Sequence, residues 1–314
     1  HDGLLYKGHV YKLLHHHNLD ENILCLDSYY IQNPVMLKDI IDNCYENQIE
    51  SDTNLLPYVV VTVFDKIERK VKIPVYNDGA VSLTNYVSNG TEVRNIDVPE
   101  GVISLDVTNS KVKDLVLPKS LQHLNCHVTS KLKTLTFHEE SVLKTLKITN
   151  SPLTELVINN EVENLEIVTN NLLKKIHLLK PCNIVDVSGN NLNELVVAEG
   201  CIELKANKNK LSKFNVPNSI KKLDLSDNEL ITLKTGSNVE NLSAINNSIM
   251  FIQLNDGLKS FNVTNNKLTR LNVPNSCSNV YAKGNDIYVL HAGKSTVSMY
   301  LDSRLTMTTM NRKV

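Results

Sequence analysis

The chain has 314 residues, enough for one large or two ordinary globular domains, and contains 33 lysines and arginines against 34 aspartates and glutamates. This balance argues against binding of nucleic acid or anionic lipid, which usually requires a large uncompensated positive charge. No run of about 18 apolar residues is present, so we expect no membrane-spanning segment. The start shows no signal-peptide pattern, although removal of such a segment before His1 stays an open alternative.

The first 80 residues predict two helices and a β-hairpin. The first helix presents one apolar face, formed by Tyr6, Val10, Leu13 and Leu14. The second begins at Asn33, because an asparagine cap followed by proline is a favoured helix start. Its apolar stripe consists of Leu37, Ile40, Ile41 and Cys44. Residues 59–64 and 71–75 predict the two strands of the hairpin, on either side of a polar stretch.

We interpret residues 1–80 as a cap domain for the repeats that follow. Stacked repeats form a solenoid, and its open end exposes apolar surface that must be covered. An independent binding domain is the alternative. The segment also contains His15, His16 and His17, which suggest a metal site. Consecutive residues on a helix point about 100° apart, so these side chains would not converge on one ion, and we predict no metal here.

A repeat of about 19 residues occupies the chain from residue 81 to 309. Its clearest copy runs from Ile220 through Leu223, Leu225 and Asn228 to Leu230. The copies are marked by asparagines that are 20 residues apart once and 19 thereafter: Asn170, Asn190, Asn209, Asn228, Asn247, Asn266 and Asn285. Earlier copies have Ser110, Thr129 and Ser151 at this position. We predict about eleven coils of 19–22 residues, followed by a tail at 310–314.

Each coil has two halves with different patterns. The first half alternates apolar and polar residues, as from Leu223 to Leu225, and predicts a strand; stacked coils would place these strands in one parallel sheet. The asparagine is expected to satisfy backbone groups at the turn and in the neighbouring coil. Serine and threonine can do so only in part, so the N-terminal coils should be less regular. The second half, as from Leu268 to Pro274, is too short for a helix and predicts an extended or polyproline-like outer wall.

This pattern resembles the leucine-rich repeat family, and specifically its short, helix-poor members such as bacterial effectors and internalin-type proteins. It departs from the family in its 19-residue length and in Ala206, Ala244 and Ala282, which replace a large aliphatic residue. The resemblance implies an α/β-type solenoid with a right-handed superhelix, a parallel sheet on the concave side and an extended convex side. It also implies a non-enzymatic scaffold that binds a protein partner, usually through the sheet face.

The outward strand positions form the predicted binding face. One column contains Asp106, Asn125, Ser243 and the eight residues that we select as candidate partner contacts: Lys147, Glu166, Asp186, Lys205, Asp224, Asn262, Tyr281 and Tyr300. Its neighbours include His123, His127, Glu203, Asn207, Lys222, Asn241, Ser260 and Lys283. The mixed charge disfavours nucleic acid. Tyr281 and Tyr300 are the favoured anchor, because exposed tyrosines are common interface hot spots; packing of Tyr300 into a terminal cap is the alternative.

No catalytic constellation accompanies this face. The sequence shows no nucleophile with a base and an orienting group, and no glycine-rich phosphate loop. His123 and His127 share a strand face but have no evident third ligand for a metal. We therefore predict no enzymatic activity, no cofactor and no metal.

The cysteines favour a reducing compartment. Four of the six stand at repeat positions that other coils fill with aliphatic residues, namely Cys126, Cys182, Cys201 and Cys277. We predict buried thiols rather than disulfides, and hence the cytoplasm. Glycosylation triplets at Asn89, Asn241, Asn246 and Asn262 keep secretion as an alternative.

Two functions stay open at this point. The first is an adaptor that binds a protein through its sheet face. The second is a regulatory subunit of an enzyme such as a protein phosphatase, because residues 69–73 and 133–137 loosely resemble phosphatase-docking motifs. The first segment ends in Ile73 where an aromatic is expected, and the second would bury Phe137 in a coil. We expect a monomer or a weak homo-oligomer, because the polar face disfavours large hydrophobic pairing.

Overall fold

The computed structural model describes residues 3–6, 9–15, 24–26, 58–64, 68–74, 80–82, 92–302 and 308–310. Within these ranges the chain contains short strands and no helix, and most of the strands stack in a solenoid. The strands before the first regular coil are β1 Gly3–Tyr6, β2 His9–His15, β3 Leu24–Leu26, β4 Tyr58–Phe64, β5 Glu68–Pro74 and β7 Glu92–Asp97.

A parallel sheet of twelve strands runs along one side of the solenoid. Its members, in order, are β6 Ala80–Ser82, β8 Ser104–Asp106, β10 His123–His127, β12 Leu143–Thr149, β14 Val162–Val168, β16 Cys182–Asp186, β18 Glu203–Lys205, β19 Lys222–Asp224, β21 Asn241–Ser243, β23 Ser260–Asn262, β25 Asn279–Tyr281 and β27 Ser298–Tyr300. Equivalent residues pair in register, for example Leu204 with Leu223 and Leu223 with Leu242. The predicted stacking of the alternating segments is confirmed.

The opposite wall is extended, as predicted, and most of it forms short parallel strands. Those described are β9 Asp114–Val116, β11 Thr134–Thr136, β13 Glu155–Ile158, β15 Lys175–Leu178, β17 Glu194–Val197, β20 Thr232–Lys234, β22 Phe251–Gln253, β24 Arg270–Asn272, β26 Val289–Ala292 and β28 Thr308–Met310. They form separate sheets of two or three strands. Pairing between coils thus satisfies backbone groups that a polyproline wall would leave to solvent.

The core lies between the two walls and continues from coil to coil. Leu223, Leu225, Leu230 and Leu233 are at most 3% exposed, so all four apolar positions of the repeat point inward. Asp224, between the first two, is only half-buried and lies on the outer face of the sheet. Each fully buried leucine stabilises the fold by about 1.5–3 kcal/mol relative to an exposed one.

The predicted first helix is wrong. Residues 3–6 and 9–15 form the antiparallel strands β1 and β2, with Tyr6 opposite His9, and β3 adds to β2. Short apolar runs fit both helical and strand periodicities, and here pairing between neighbouring segments decides. His15 ends β2 instead of lying on a helix. The second predicted helix, from Leu37 to Cys44, lies outside the described residues, as do His16 and His17.

The predicted hairpin is confirmed. Strands β4 and β5 are antiparallel, and the turn is shorter than the polar stretch suggested, because Phe64 pairs with Glu68. Strand β7 pairs with the other side of β4, and Val61 and Val93 are fully buried in the same core as the coils. The main sheet begins at β6. The cap role and the domain boundaries stay predictions.

Candidate functional site

The repeated asparagines form an internal ladder. Nδ2 of Asn228 donates to the carbonyls of Ala206 at 2.9 Å and Leu225 at 3.0 Å, and its Oδ1 accepts from the Leu211 N–H at 3.0 Å. The same pattern holds at Asn209, Asn247, Asn266 and Asn285. The expectation that the asparagines satisfy backbone groups is confirmed. The asparagine ladder therefore does not form the binding face.

The ladder is incomplete at its N-terminal end. The hydroxyls of Ser110 and Thr129 are buried without a hydrogen-bond partner. The residue before the ladder position adopts a left-handed conformation in successive coils, and at Val128 (φ 52°) this residue is β-branched. Such a conformation is costly for valine, because its Cβ approaches backbone oxygen. The expected irregularity of the N-terminal coils is confirmed at these positions.

The eight candidate contacts lie in one continuous row across the sheet. Lys147 is the register partner of Glu166, and Glu166 is that of Asp186. Asp186 in turn neighbours Lys205, and Lys205 neighbours Asp224. The row continues through Ser243 and Asn262 to Tyr281 and Tyr300. The structure therefore brings these residues together, whereas their role in binding stays a prediction.

Several charged residues of the row already have partners in the protein. Lys147 Nζ lies 3.1 Å from Glu166 Oε2. Three other side chains accept a backbone N–H of their own coil: Asp186 from Ser188 at 3.0 Å, Asp224 from Ser226 at 2.9 Å and Asn262 from Thr264 at 3.0 Å. One oxygen of each is thus used by the fold, which leaves only the remaining polar atoms for a partner.

Tyr281 and Tyr300 form a parallel stack. Their ring centroids are 4.7 Å apart and the ring planes differ by 2°. The two residues are 38% and 46% exposed, so the described residues do not enclose Tyr300. Parallel stacking covers one face of each ring and restrains both side chains. The pair is the largest exposed aromatic surface on the described sheet face.

A shallow groove of about 300 Å³ lies on the sheet face beside Tyr281. Lys205, Lys222 and Asp224 line one end, and the short side chains of Ser243 and Ser260 lie between them and Tyr281 in the order of the strands. The remaining lining residues are Glu203, Leu204, Leu223, Asn241, Leu242, Phe261, Asn262 and Tyr281. Sequence reasoning placed these polar residues on the face but missed the groove. The sequence does contain a signal for the groove. Two adjacent coils have an outward serine, and the coils on either side of them have longer outward side chains.

The other candidate groups do not assemble into a catalytic or metal site. His123 Nδ1 lies 2.8 Å from Thr145 Oγ1, and His127 bonds Thr149 in the same way, so the two rings turn to separate threonines. Burial raises the pKa of Cys182 to about 11 and that of Cys201 to about 12, which makes these thiols poor nucleophiles. Across the described ranges no group of three or more histidine, cysteine or acidic side chains is arranged to hold a metal.

The phosphatase-docking hypothesis is weakened in one of its two segments. Leu135 and Phe137 are partly buried against the core of the solenoid, so residues 133–137 do not present them to a partner. Residues 69–73 lie within β5, at the edge of the sheet formed by β5, β4 and β7.

The 19-residue period, the buried asparagine ladder and the continuous parallel sheet together define the architecture. The fold is a leucine-rich repeat solenoid. No protein-family model and no curated protein matches the chain. Among solved structures it is similar to the functional domain of InlJ from Listeria monocytogenes, with 14% identity and a TM-score of 0.46, over 79% of this chain and 68% of that one. It is also similar to YopM, a leucine-rich effector protein from Yersinia pestis, with 21% identity and a TM-score of 0.37, over 63% of this chain and 67% of that one.

At these identities the likeness concerns the fold and does not extend to a ligand. In the part of the chain that the structure covers, no helix is long and apolar enough to cross a membrane.

Proposed function

We propose that this leucine-rich repeat chain is a non-enzymatic scaffold that binds a protein partner through its sheet face, with Tyr281 and Tyr300 as the anchor. The observation that supports the proposal most is the exposed, parallel stack of the two rings. Tyrosine is enriched at interface hot spots, because it offers a large contact area and a hydroxyl with few rotatable bonds. Stacking also orders the rings before binding, which lowers the entropy lost on association.

The charged half of the row would set the orientation of the partner. Lys147, Glu166, Asp186, Lys205 and Asp224 combine two positive and three negative charges, so they favour a partner of mixed charge over a strongly basic or acidic one. Exposed charges of this kind contribute more to specificity and association rate than to affinity. Asn262 lies between these charges and the tyrosines and offers its Nδ2 group.

The proposal includes a cytoplasmic location and a monomeric or weakly associating state. It is supported by the four described cysteines of the coils, which are free, buried thiols and therefore compatible with a reducing compartment. The polar character of the sheet face disfavours a large hydrophobic dimer interface. Light scattering that shows a stable higher oligomer would contradict this part of the proposal.

A regulatory subunit of an enzyme such as a protein phosphatase stays the second candidate. One observation favours it: residues 69–73 lie on the edge strand β5, where a partner could add a further strand. Phosphatase activity that co-purifies with the wild-type chain, and is lost when Val71 and Ile73 are both replaced by alanine, would support this candidate. Absence of such activity would leave the general scaffold as the proposal.

The anchor is tested by replacing Tyr281 and Tyr300 together with alanine. We expect loss of the natural partner in affinity purification followed by mass spectrometry, at roughly 30-fold weaker binding for a hot spot of about 2 kcal/mol. Tyr288→Ala is the matched control, because Tyr288 is also 46% exposed but lies directly before β26, away from the sheet face. Undiminished capture by the double variant, or equal loss in the control, would overturn the proposal.

A further inference from the structure

We propose that the groove beside Tyr281 binds a short, neutral oligosaccharide. The site is the one lined by Lys205, Lys222, Asp224, Asn241 and Ser260 together with Tyr281. This inference goes beyond the protein-partner proposal, because it assigns a different ligand to the groove next to the tyrosine anchor. It depends on four properties of the groove: charge, apolar exposure, hydrogen-bonding capacity and the free face of one ring.

The charges of the groove cancel. Glu203 and Asp224 supply two negative charges, and Lys205 and Lys222 supply two positive charges. Lys222 Nζ lies 3.0 Å from Glu203 Oε2, and Lys205 Nζ lies 3.9 Å from Glu203 Oε1. A phosphate, a nucleic acid or a strongly charged peptide would therefore gain little net electrostatic attraction here, which favours a neutral ligand.

The core side chains beneath the groove are almost fully covered. Leu204, Leu223, Leu242 and Phe261 lie beneath it, but each is at most 4% exposed. These covered residues therefore offer no contact to the apolar side chains that anchor most protein partners. The ring of Tyr281 is the one large apolar group among the lining residues that is exposed.

Four residues of the groove retain unused hydrogen-bonding groups. In the described part of the chain, the side chains of Asn241 and Ser260 form no hydrogen bond with another residue. Asn262 uses Oδ1 for the Thr264 N–H and retains its Nδ2 donors, and Asp224 uses Oδ1 for the Ser226 N–H and retains Oδ2. These groups include both donors and acceptors, and sugar hydroxyls act as both.

Tyr281 presents a flat face to the ligand. Tyr300 covers one side of its ring, and the register places Asn262 and the groove on the other side. The C–H groups on one face of a sugar ring pack favourably on such an aromatic face through weak C–H contacts. A volume of about 300 Å³ is at the lower end for ligand sites, which suits a short oligosaccharide segment.

The test uses the full chain and four neutral probes: cellotetraose, maltotetraose, tetra-N-acetylchitotetraose and mannotetraose. Isothermal titration calorimetry and saturation-transfer NMR should detect binding of at least one probe, with an affinity that changes less than twofold between about 50 and about 500 mM NaCl. Asn241→Ala and Tyr281→Ala should each weaken binding about tenfold, as expected for loss of about 1.4 kcal/mol.

Asn279→Ala is the matched control for Asn241→Ala. Asn279 occupies the same strand position two coils further on and does not line the groove, so its replacement should change the affinity less than twofold. Absence of binding by all four probes at about 10 mM, which corresponds to a free energy weaker than about −2.7 kcal/mol, overturns the proposal. Equal loss in Asn279→Ala, or displacement of the sugar by a charged peptide that depends on Asn241, also overturns it.

Two further experiments identify where the sugar comes from and distinguish the sugar-binding proposal from the protein-binding proposal. Binding is measured to an immobilised polysaccharide and to a glycoprotein, each containing the sugar that binds, to show which of the two carries the natural ligand. Glycosidase treatment of the glycoprotein should abolish binding to it. Asn241→Ala leaves both tyrosines in place. Loss of sugar binding with retained protein capture in this variant therefore shows that the sugar needs a contact that the protein partner does not need. Loss of protein capture in Tyr281→Ala/Tyr300→Ala, with no sugar binding in the wild type, leaves only the scaffold proposal.

Discussion

A hydrogen bond of 3.0 Å connects Asn228 to Leu211 in the preceding coil, in which the Leu211 N–H donates to the Asn228 side-chain oxygen. Asn228 is 8% exposed, and its amide group also serves buried carbonyls on both sides of the turn. A single side chain thus satisfies main-chain groups of two coils. This contact explains why asparagine recurs at this position with a fixed period.

Replacement of this asparagine should be strongly destabilising. We expect Asn228→Ala to lower the free energy of unfolding by about 2–4 kcal/mol, because it leaves several buried backbone groups without a partner. The measurement is urea unfolding followed by circular dichroism. Asn193→Ala is the control, since Asn193 is exposed, and should change stability by less than about 0.5 kcal/mol. Similar losses in both variants would refute the ladder.

The left-handed position before the ladder predicts a stabilising change at Val128. Val128→Asn should raise the unfolding free energy by about 1 kcal/mol, because asparagine tolerates φ near 52° better than a β-branched residue. The reciprocal change, Asn150→Val, should lower it by about 1–2 kcal/mol, since Asn150 has φ 50°. Thermal and urea unfolding of both variants check the pair, and shifts of the same sign would contradict it.

The unpaired hydroxyl of Thr129 predicts that its replacement by valine does not destabilise the protein, although substitution of a buried residue usually does. Thr129 is fully buried, yet Thr129→Val removes a group that has no partner. We expect unchanged or higher stability, because an unsatisfied buried hydroxyl is itself unfavourable. Ser151→Ala is the comparison, since Ser151 accepts a bond from the Leu153 N–H. A loss above about 1 kcal/mol in Thr129→Val would show that the hydroxyl is satisfied in solution.

The buried thiols predict a loss of stability in alkali. Burial raises the pKa of Cys201 to about 12, whereas an unfolded thiol has a pKa of about 8.5. The contribution of this thiol is therefore fully present below about pH 8.5 and is lost as the pH rises towards 12, because the unfolded chain releases the proton first.

This pH dependence is measured by comparing wild type with Cys201→Ala. Between pH 8 and pH 10 the wild type should lose about 2 kcal/mol more than the variant, since one buried thiol accounts for about 1.4 kcal/mol per pH unit in this window. Urea unfolding at several pH values gives the difference directly. Parallel pH profiles for the two proteins would show that Cys201 titrates normally in the folded state.

Features of this protein that depend on local, repeated interactions could be predicted from the sequence, whereas features that depend on a distant pairing partner could not. The strand pattern of Leu223 and Leu225 was predictable, because alternation and burial are local and recur every 19 residues. The row from Lys147 to Tyr300 was predictable for the same reason, since a constant period implies constant register. The segment around Val10 and Leu13 was predicted as a helix and is a strand, because it lies outside the repeat and depends on its pairing partner.

The sequence by itself determined the solenoid, its inward leucines, the role of its asparagines and the row of outward side chains, because a repeated local pattern restricts every coil in the same way. Only the tertiary structure decided that Tyr281 and Tyr300 stack instead of splaying, that short serines open a groove beside them, and that Val128 adopts a left-handed conformation. These features depend on side-chain directions and backbone angles that adjacent coils impose on one another. A pattern of residue types does not contain that information.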